Sequence, residues 1–386
     1  MSSAFPVKWF DSTFRGAPVL SGTAGAWIAA LDACLLDGFG AITPTKIEVV
    51  GNIATATVNV GDTFTPYAVI SVSGATPAQL NGEARVLTST STSFTFATDA
   101  ADGLATGTIS IRYAPVGGWE KTYSGTNKAV YRSTDPLASG FYLRVDDTGT
   151  VNARVVGYES MSDVDTGINA FPTAAQLSGG GYLAKSDTAD ATARPWCLFA
   201  DARFVHWGTC PKTGAYNTAA LRGFGDLQPL STLDAYAVAL STNAAFSQGD
   251  VSIAGAFVGS EAAVGATGTY VARALSGAVG SQLRATRPYT GASTSVGGSD
   301  TTLGTAPSPI DGKLRLARRY LNDLGDRAVI PGLLHVPMSA QSLPHMQLLS
   351  DQLDERHLYS VVYHHSSVFN TGAQGRALFD ITGPWR

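Results

Sequence analysis

Between Thr45 and Pro115 the chain alternates apolar and polar residues with a period of two. KIEVV, ATATVNV, YAVISVSG, ARVLTS, TSFTFAT and TGTISIRY follow one another in this span. Turns rich in Gly, Asn, Asp and Pro separate them at intervals of about ten residues. Successive side chains of a strand point to opposite faces, so this pattern buries one face and wets the other. Six or seven strands at that spacing predict an Ig-like antiparallel β-sandwich over residues 45–116. No heptad, helical array or exact repeat competes with this reading.

The rest of the chain extends the same theme. With 386 residues the chain exceeds what one hydrophobic core usually serves. Charged residues make up 15% and glycines number 42, a composition that suits sheets joined by tight turns rather than a charged, disordered chain. Residues 1–44 read as an extended arm followed by one helix, Thr23 to Asp37. Thr23 is the expected N-cap and Gly38 the expected terminator. Trp27, Leu31 and Leu35 recur at helical spacing, and Trp9, Phe10 and Phe14 are apolar anchors in the arm. After a hinge expected at Gly117-Gly118, residues 117–386 form a larger β-rich assembly domain. Its strands include AVYRS, FYLRVDD, ARVVGYES, GYLAKS, WCLFADARFVHWG and AYAVALS. A hairpin is expected across Asn322–Asp326, and HLYSVVYHH and GRALFDITGPW close the chain as strands. Residues 242–308, poor in large apolar side chains, read as long surface loops. The expected fold class is therefore mainly β.

Several motifs invite chemistry and are better explained without it. Asp147-Thr-Gly149 and Asp165-Thr-Gly167 have the triplet of aspartic proteases, whose two aspartates share a proton. The stretches ahead of both triplets are polar at Asp146 and at Ser162-Asp163, and Asp-Thr-Gly is ordinary turn chemistry. Asp163-Val-Asp165-Thr-Gly167 lacks the later ligands of a calcium loop. Five of the six histidines fall in the last 52 residues, at 335, 345, 357, 364 and 365, without metal-site spacing. Cys197 and Cys210 flank His206, and a Cys–His pair among buried aromatics is more often core than nucleophile. GxSxG, Walker and GxGxxG motifs are absent. Catalytic, cofactor and metal residues are accordingly expected to be none. Trp196, Phe199, Phe204 and Trp207 could line a sugar-stacking face, although alternating strand aromatics are more commonly core.

Net charge is −4 with scattered Lys and Arg, which argues against nucleic-acid binding. No apolar run reaches the ~20 residues of a membrane span, and no secretory signal is evident at MSSAFPVKWF. Three cysteines, an odd number, argue against a disulfide framework and for folding in a reducing cytoplasm.

The opening VKWFDSTFRGAPVLSGTAGAWIAALDACLLDGFG resembles a family of tailed-phage and prophage virion structural proteins. The likeness continues through WEKTYSGTNKAVYRS, YLRVDDTGTVNARVVGYESMSDVDTG and the final FDITGPWR, while residues 242–380 diverge more. The segment ISVSGATPAQLNGEARVLTSTSTSFTFAT is similar to Ig-like modules of phage structural proteins. The resemblance implies a non-enzymatic component of the virion, assembled in the bacterial cytoplasm, in the tail or baseplate. Its expected partners are other virion proteins, in a symmetric homo-oligomer or ring. A capsid decoration or head-appendage protein and a tail protein that binds host-surface glycan are the alternatives. The assembly contacts expected are Trp9, Phe10 and Phe14 in the arm and Trp27, Leu31 and Leu35 on the helix.

Overall fold

A computed structural model describes residues 5–212, 219–243, 257, 269–286, 308, 310–337, 343–350, 357–364 and 374–386. The fold is mainly β, and the described residues form four antiparallel sheets and one short α-helix. No helix among the described residues is long and apolar enough to cross a membrane.

The period-two region, joined by Phe39–Ile42 from before it, forms an eight-stranded sheet whose edge strands are Phe39–Ile42 and Gly103–Leu104. Its alternation is the one read from sequence: in Lys46–Val50, Ile47 and Val49 are buried and their neighbours exposed. Strand Gly82–Ser89 joins the two halves. Its first residues pair with Val69–Ser73 and, past a bulge after Val86, its last pair with Ser93–Ala97. A bulge bends a strand and increases its twist, which lets one sheet fold over its own core. Phe64 fills that core, edge-on to Phe94 of one half and to Tyr113 of the other.

A second sheet is a meander of Trp119–Gly125, Lys128–Ser133, Tyr142–Asp146, Asn152–Met161 and Gly167–Phe171, with Gly181–Ala184 on its side. The other two sheets meet at their aromatic faces. One contains Trp196–Ala200, Phe204–Thr209 and Ala220–Asp226; the other contains the hairpin Ala317–Asn322 and Asp326–His335 with His357–His364 and Gln374–Asp380. Phe199 stacks on Phe379 with ring centroids 4.1 Å apart across the junction. Thr269–Val271 and Arg284–Thr286 are strands rather than the surface loop expected there. Most of that expected loop lies outside the described residues.

The N-terminal arm is an integral strand. Lys8–Asp11 pairs in register with Trp196–Ala200, so a terminal segment forms the edge of a sheet whose other strands follow residue 195. Trp9 packs on Tyr359, and Phe14 stacks on Tyr113 of the first sheet. This corrects the expectation for the assembly contacts. Trp9, Phe10, Phe14, Trp27, Leu31 and Leu35 are all buried in the chain's own core and present no area to a neighbour. An aromatic side chain in a terminal segment can be covered by residues far along the sequence, which spacing does not reveal. Gly117-Gly118, where a hinge was expected, is held by backbone hydrogen bonds. Gly117 N–H donates to Leu35 O, Thr134 N–H donates to Gly118 O, and a Cβ at Gly118 would stand 2.6 Å from that of Ala202.

The helix is shorter than expected, Ala26–Asp32, and continues as a π-turn over Ala33–Asp37 that ends at Gly38. Thr23 does not cap it. Gly25 occupies the N-cap position with φ 80° and offers no side chain. The cap comes instead from Asp147, whose Oδ2 accepts from Trp27 N (2.7 Å) and Ile28 N (3.3 Å). Asp147 Oδ1 meets Lys185 Nζ, which also donates to Thr23 O at 2.6 Å. Both charged side chains are fully buried. Losing one partner of such a pair leaves an uncompensated charge and costs about 3–5 kcal/mol. We expect Asp147→Ala to lower urea-unfolding stability by that order. Asp165→Ala, removing a half-exposed carboxylate, is expected to leave the midpoint within error.

Candidate functional site

The two Asp-Thr-Gly triplets do not converge on one site. Asp147 is buried against the helix, whereas Asp165 is half exposed and pairs with Lys128 (2.9 Å) and Arg144 (2.6 Å). Burial pushes the Asp147 carboxyl upward, against the pull of Lys185. The hydrogen bonds from Lys128 and Arg144 hold Asp165 below its ordinary value. A shared proton needs two carboxylates in contact, and these two have different partners. In the candidate calcium loop, Asp163 Oδ1 accepts from Asp165 N at 2.7 Å, which is Asx-turn geometry. No group of three His, Cys, Asp or Glu suited to a metal occurs among the described residues.

The cysteine region holds a contact the spacing did not suggest. Cys210 Sγ lies 3.5 Å from His345 Nε2, while His206 turns away to Pro331 O at 2.8 Å. A thiol nucleophile requires the thiolate, favoured by an electropositive and partly open setting. Here burial pushes the Cys210 thiol up to about 12 and drives His345 down to about 4. Both groups are neutral at pH 7 and neither activates the other. His206 is held at about 3, chiefly by burial, among Phe204, Phe257, Phe379 and Trp385. The space lined by His206, Leu221, Arg222, Phe257, Leu333 and Phe379 is too small to admit a water molecule.

The aromatics considered for sugar stacking are unavailable. Trp196, Phe199, Phe204 and Trp207 are all buried, so this face is core and the glycan expectation fails at these residues. Of the C-terminal histidines, His335 is buried and His357 lies beside Tyr67, with centroids 3.7 Å apart. His365 and the side chain of His364 lie outside the described residues.

Among the described residues, some large apolar side chains are exposed on turns. Leu233 is 91% exposed and Leu324 99%; Leu230 and Leu275 are each 59% exposed. They belong to three segments brought together by Arg327. Its guanidinium makes a two-pronged contact with Asp234 (2.7 and 2.8 Å), reaches Asp323 at 3.1 Å and donates to Arg273 O at 2.7 Å. Asp323 in turn accepts from Leu275 N, and Leu230 N–H donates to Arg327 O. Arg273 stacks over Tyr236 and pairs with Glu159. Burial would raise the Asp234 carboxyl, but the hydrogen bonds and charge of Arg327 bring it below its ordinary value. The charges of these segments thus satisfy one another, while the four leucines stay exposed. Sequence reading missed these residues. The available signal was a leucine in the polar turn Asn322-Asp-Leu-Gly-Asp326, where Asn, Asp or Gly is usual.

Cys34, Cys197 and Cys210 are buried and free, so a thiol reagent added to the folded chain is expected to label none of them until denaturant is present. Labelling at native rates would contradict this packing. The depressed histidines set a pH dependence. His206 and His345 bind protons more readily when unfolded, at about 6.5, than when folded, at about 3 and about 4. Stability is therefore expected to fall as pH drops below about 6.5, measured as a lower urea midpoint at pH 5 than at pH 7. No family model matches the chain, and no curated protein matches it.

Proposed function

We propose that this chain is a non-enzymatic structural component of a tailed-phage virion, in the tail or baseplate, acting through contacts between subunits. The observation that carries the reading is the leucine surface on the Arg327 hub. Leu324 occupies the left-handed region, at φ 62°. A non-glycine residue held there costs on the order of 1–3 kcal/mol. Its side chain is also almost wholly in water, so the fold gains little from it. Asn or Gly at that turn would remove both penalties. Burying a leucine side chain against a neighbour gives back about 1.5–3 kcal/mol, a gain realised only on assembly. The ion-paired base holds the three segments in place before a partner arrives, which limits the ordering cost of association.

The likeness of VKWFDSTFRGAPVLSG and FDITGPWR to virion structural proteins supplies the particle. The apolar surface supplies the mode of action: a copy of this chain in a ring, or an adjoining virion protein, covers it. The site chemistry is consistent with that role, since the candidate nucleophile and acid–base groups described above are buried and neutral or bound to structural partners.

Particles of the phage that encodes the chain, separated into heads and tails and analysed by mass spectrometry, should carry it in the tail fraction. A Leu233→Asp, Leu324→Asp double variant is expected to fold normally and to be incorporated at least tenfold less. Absence of the chain from mature particles would refute the proposal, as would full incorporation of the double variant.

A further inference from the structure

Lys185 and Asp147 are unusual in being oppositely charged, in contact, and both without exposed side-chain surface. Two ions taken out of water recover their desolvation cost only with excellent supporting geometry. An alternative is open to such a pair, because one proton passed from Nζ to Oδ1 leaves a neutral amine against a carboxylic acid. Burial acts in that direction on both partners, lowering Lys185 and raising Asp147, while their mutual attraction opposes it. An amine and a carboxylic acid held in contact, away from water, are the reactants of amide formation. Fixing two reactants in place supplies a large part of a barrier that is otherwise entropic.

The geometry points to condensation of Lys185 and Asp147 into an intramolecular isopeptide bond between Nζ and Cγ. After the first proton transfer the Nζ lone pair attacks Cγ, and the carbonyl electrons move onto Oδ2. That oxygen already accepts from Trp27 N and Ile28 N, so two backbone donors meet the developing negative charge, as in an oxyanion hole. Nζ passes a second proton to Oδ1, the Cγ–Oδ1 bond breaks, and one water leaves as the carbonyl re-forms on Oδ2. The third proton stays on nitrogen, placed to donate to Thr23 O. Ammonium and carboxylate thus become amide and water, with no oxidant or co-reactant. Among the described residues no other carboxylate contacts the pair, so both protons travel through Oδ1. The reaction is therefore slower than folding and follows it.

The bond would close a covalent loop between positions 38 residues apart and tie both strand ends to the helix start. A cross-link of that kind resists unfolding by restricting the unfolded chain, which suits a part under mechanical load. The test is intact-mass measurement, under denaturing conditions, of the purified full chain incubated folded at neutral pH. The expected result is a species lighter by one water that grows with time. Proteolysis should release a branched peptide joining the segments that contain Asp147 and Lys185. Lys185→Arg should retain its full sequence mass, and Asp147→Asn should lose ammonia in place of water. A wild-type chain that stays folded yet keeps its full mass throughout would overturn the inference. So would a water loss that persists in Lys185→Arg or maps to a cyclised aspartate without a branched peptide.

Discussion

Asp147 holds together parts of the chain that local forces would leave apart. A seven-residue helix is too short to be stable alone, because nucleation costs more than so few hydrogen bonds return. Asp147 meets the free N–H groups at its start, and its own backbone accepts from Gly25 N. Lys185, arriving from another strand end, neutralises the carboxylate and binds the carbonyl just before the helix. At the other end Asp32 accepts from Tyr131 Oη and pairs with Lys121, both from the meander. The helix is thus a strut between strands, and its apolar face is spent on Trp207 and the sheet behind it.

The same economy appears in the buried cations. Lys8 reaches Glu83 and the carbonyls of Pro115 and Val116, tying the arm to the end of the first sheet. Arg319 donates to the carbonyls of Phe257 and Ala285, and Arg194 to those of Pro211 and Thr192. Carbonyls outside the strands, such as those of Pro115, Thr192 and Pro211, are met by these buried cations. A guanidinium carries five donors in a fixed fork and can satisfy several of them at once. Few charged residues are present, and a notable share of the basic ones work inward.

Much of the fold was legible in the residues. Period-two alternation identified most strands of the first sheet, though not its edge strands Phe39–Ile42 and Gly103–Leu104, and turn chemistry placed the hairpin at Asn322–Asp326 and the turn after Asp146. Gly38 was recognised as the helix terminator because a positive φ, here 71°, suits glycine. The candidate contacts were misread for a definite reason: hydrophobicity marks a residue that must be covered, but not what covers it. Trp9 and Phe10 are covered by residues near 200 and 359, a pairing no local pattern encodes.

Sequence alone therefore determined the class of fold, the positions of most strands and the scarcity of charge, because each follows from local periodicity and composition. Tertiary structure alone decided which apolar residues became core and which stayed in water. It turned Asp147 from a turn residue into a helix cap, buried the sugar-stacking candidates, and raised Leu233 and Leu324 on an ion-paired base. The reason is physical. Burial and partner choice depend on contacts between residues tens to hundreds of positions apart, and those distances exist only once the chain has closed on itself.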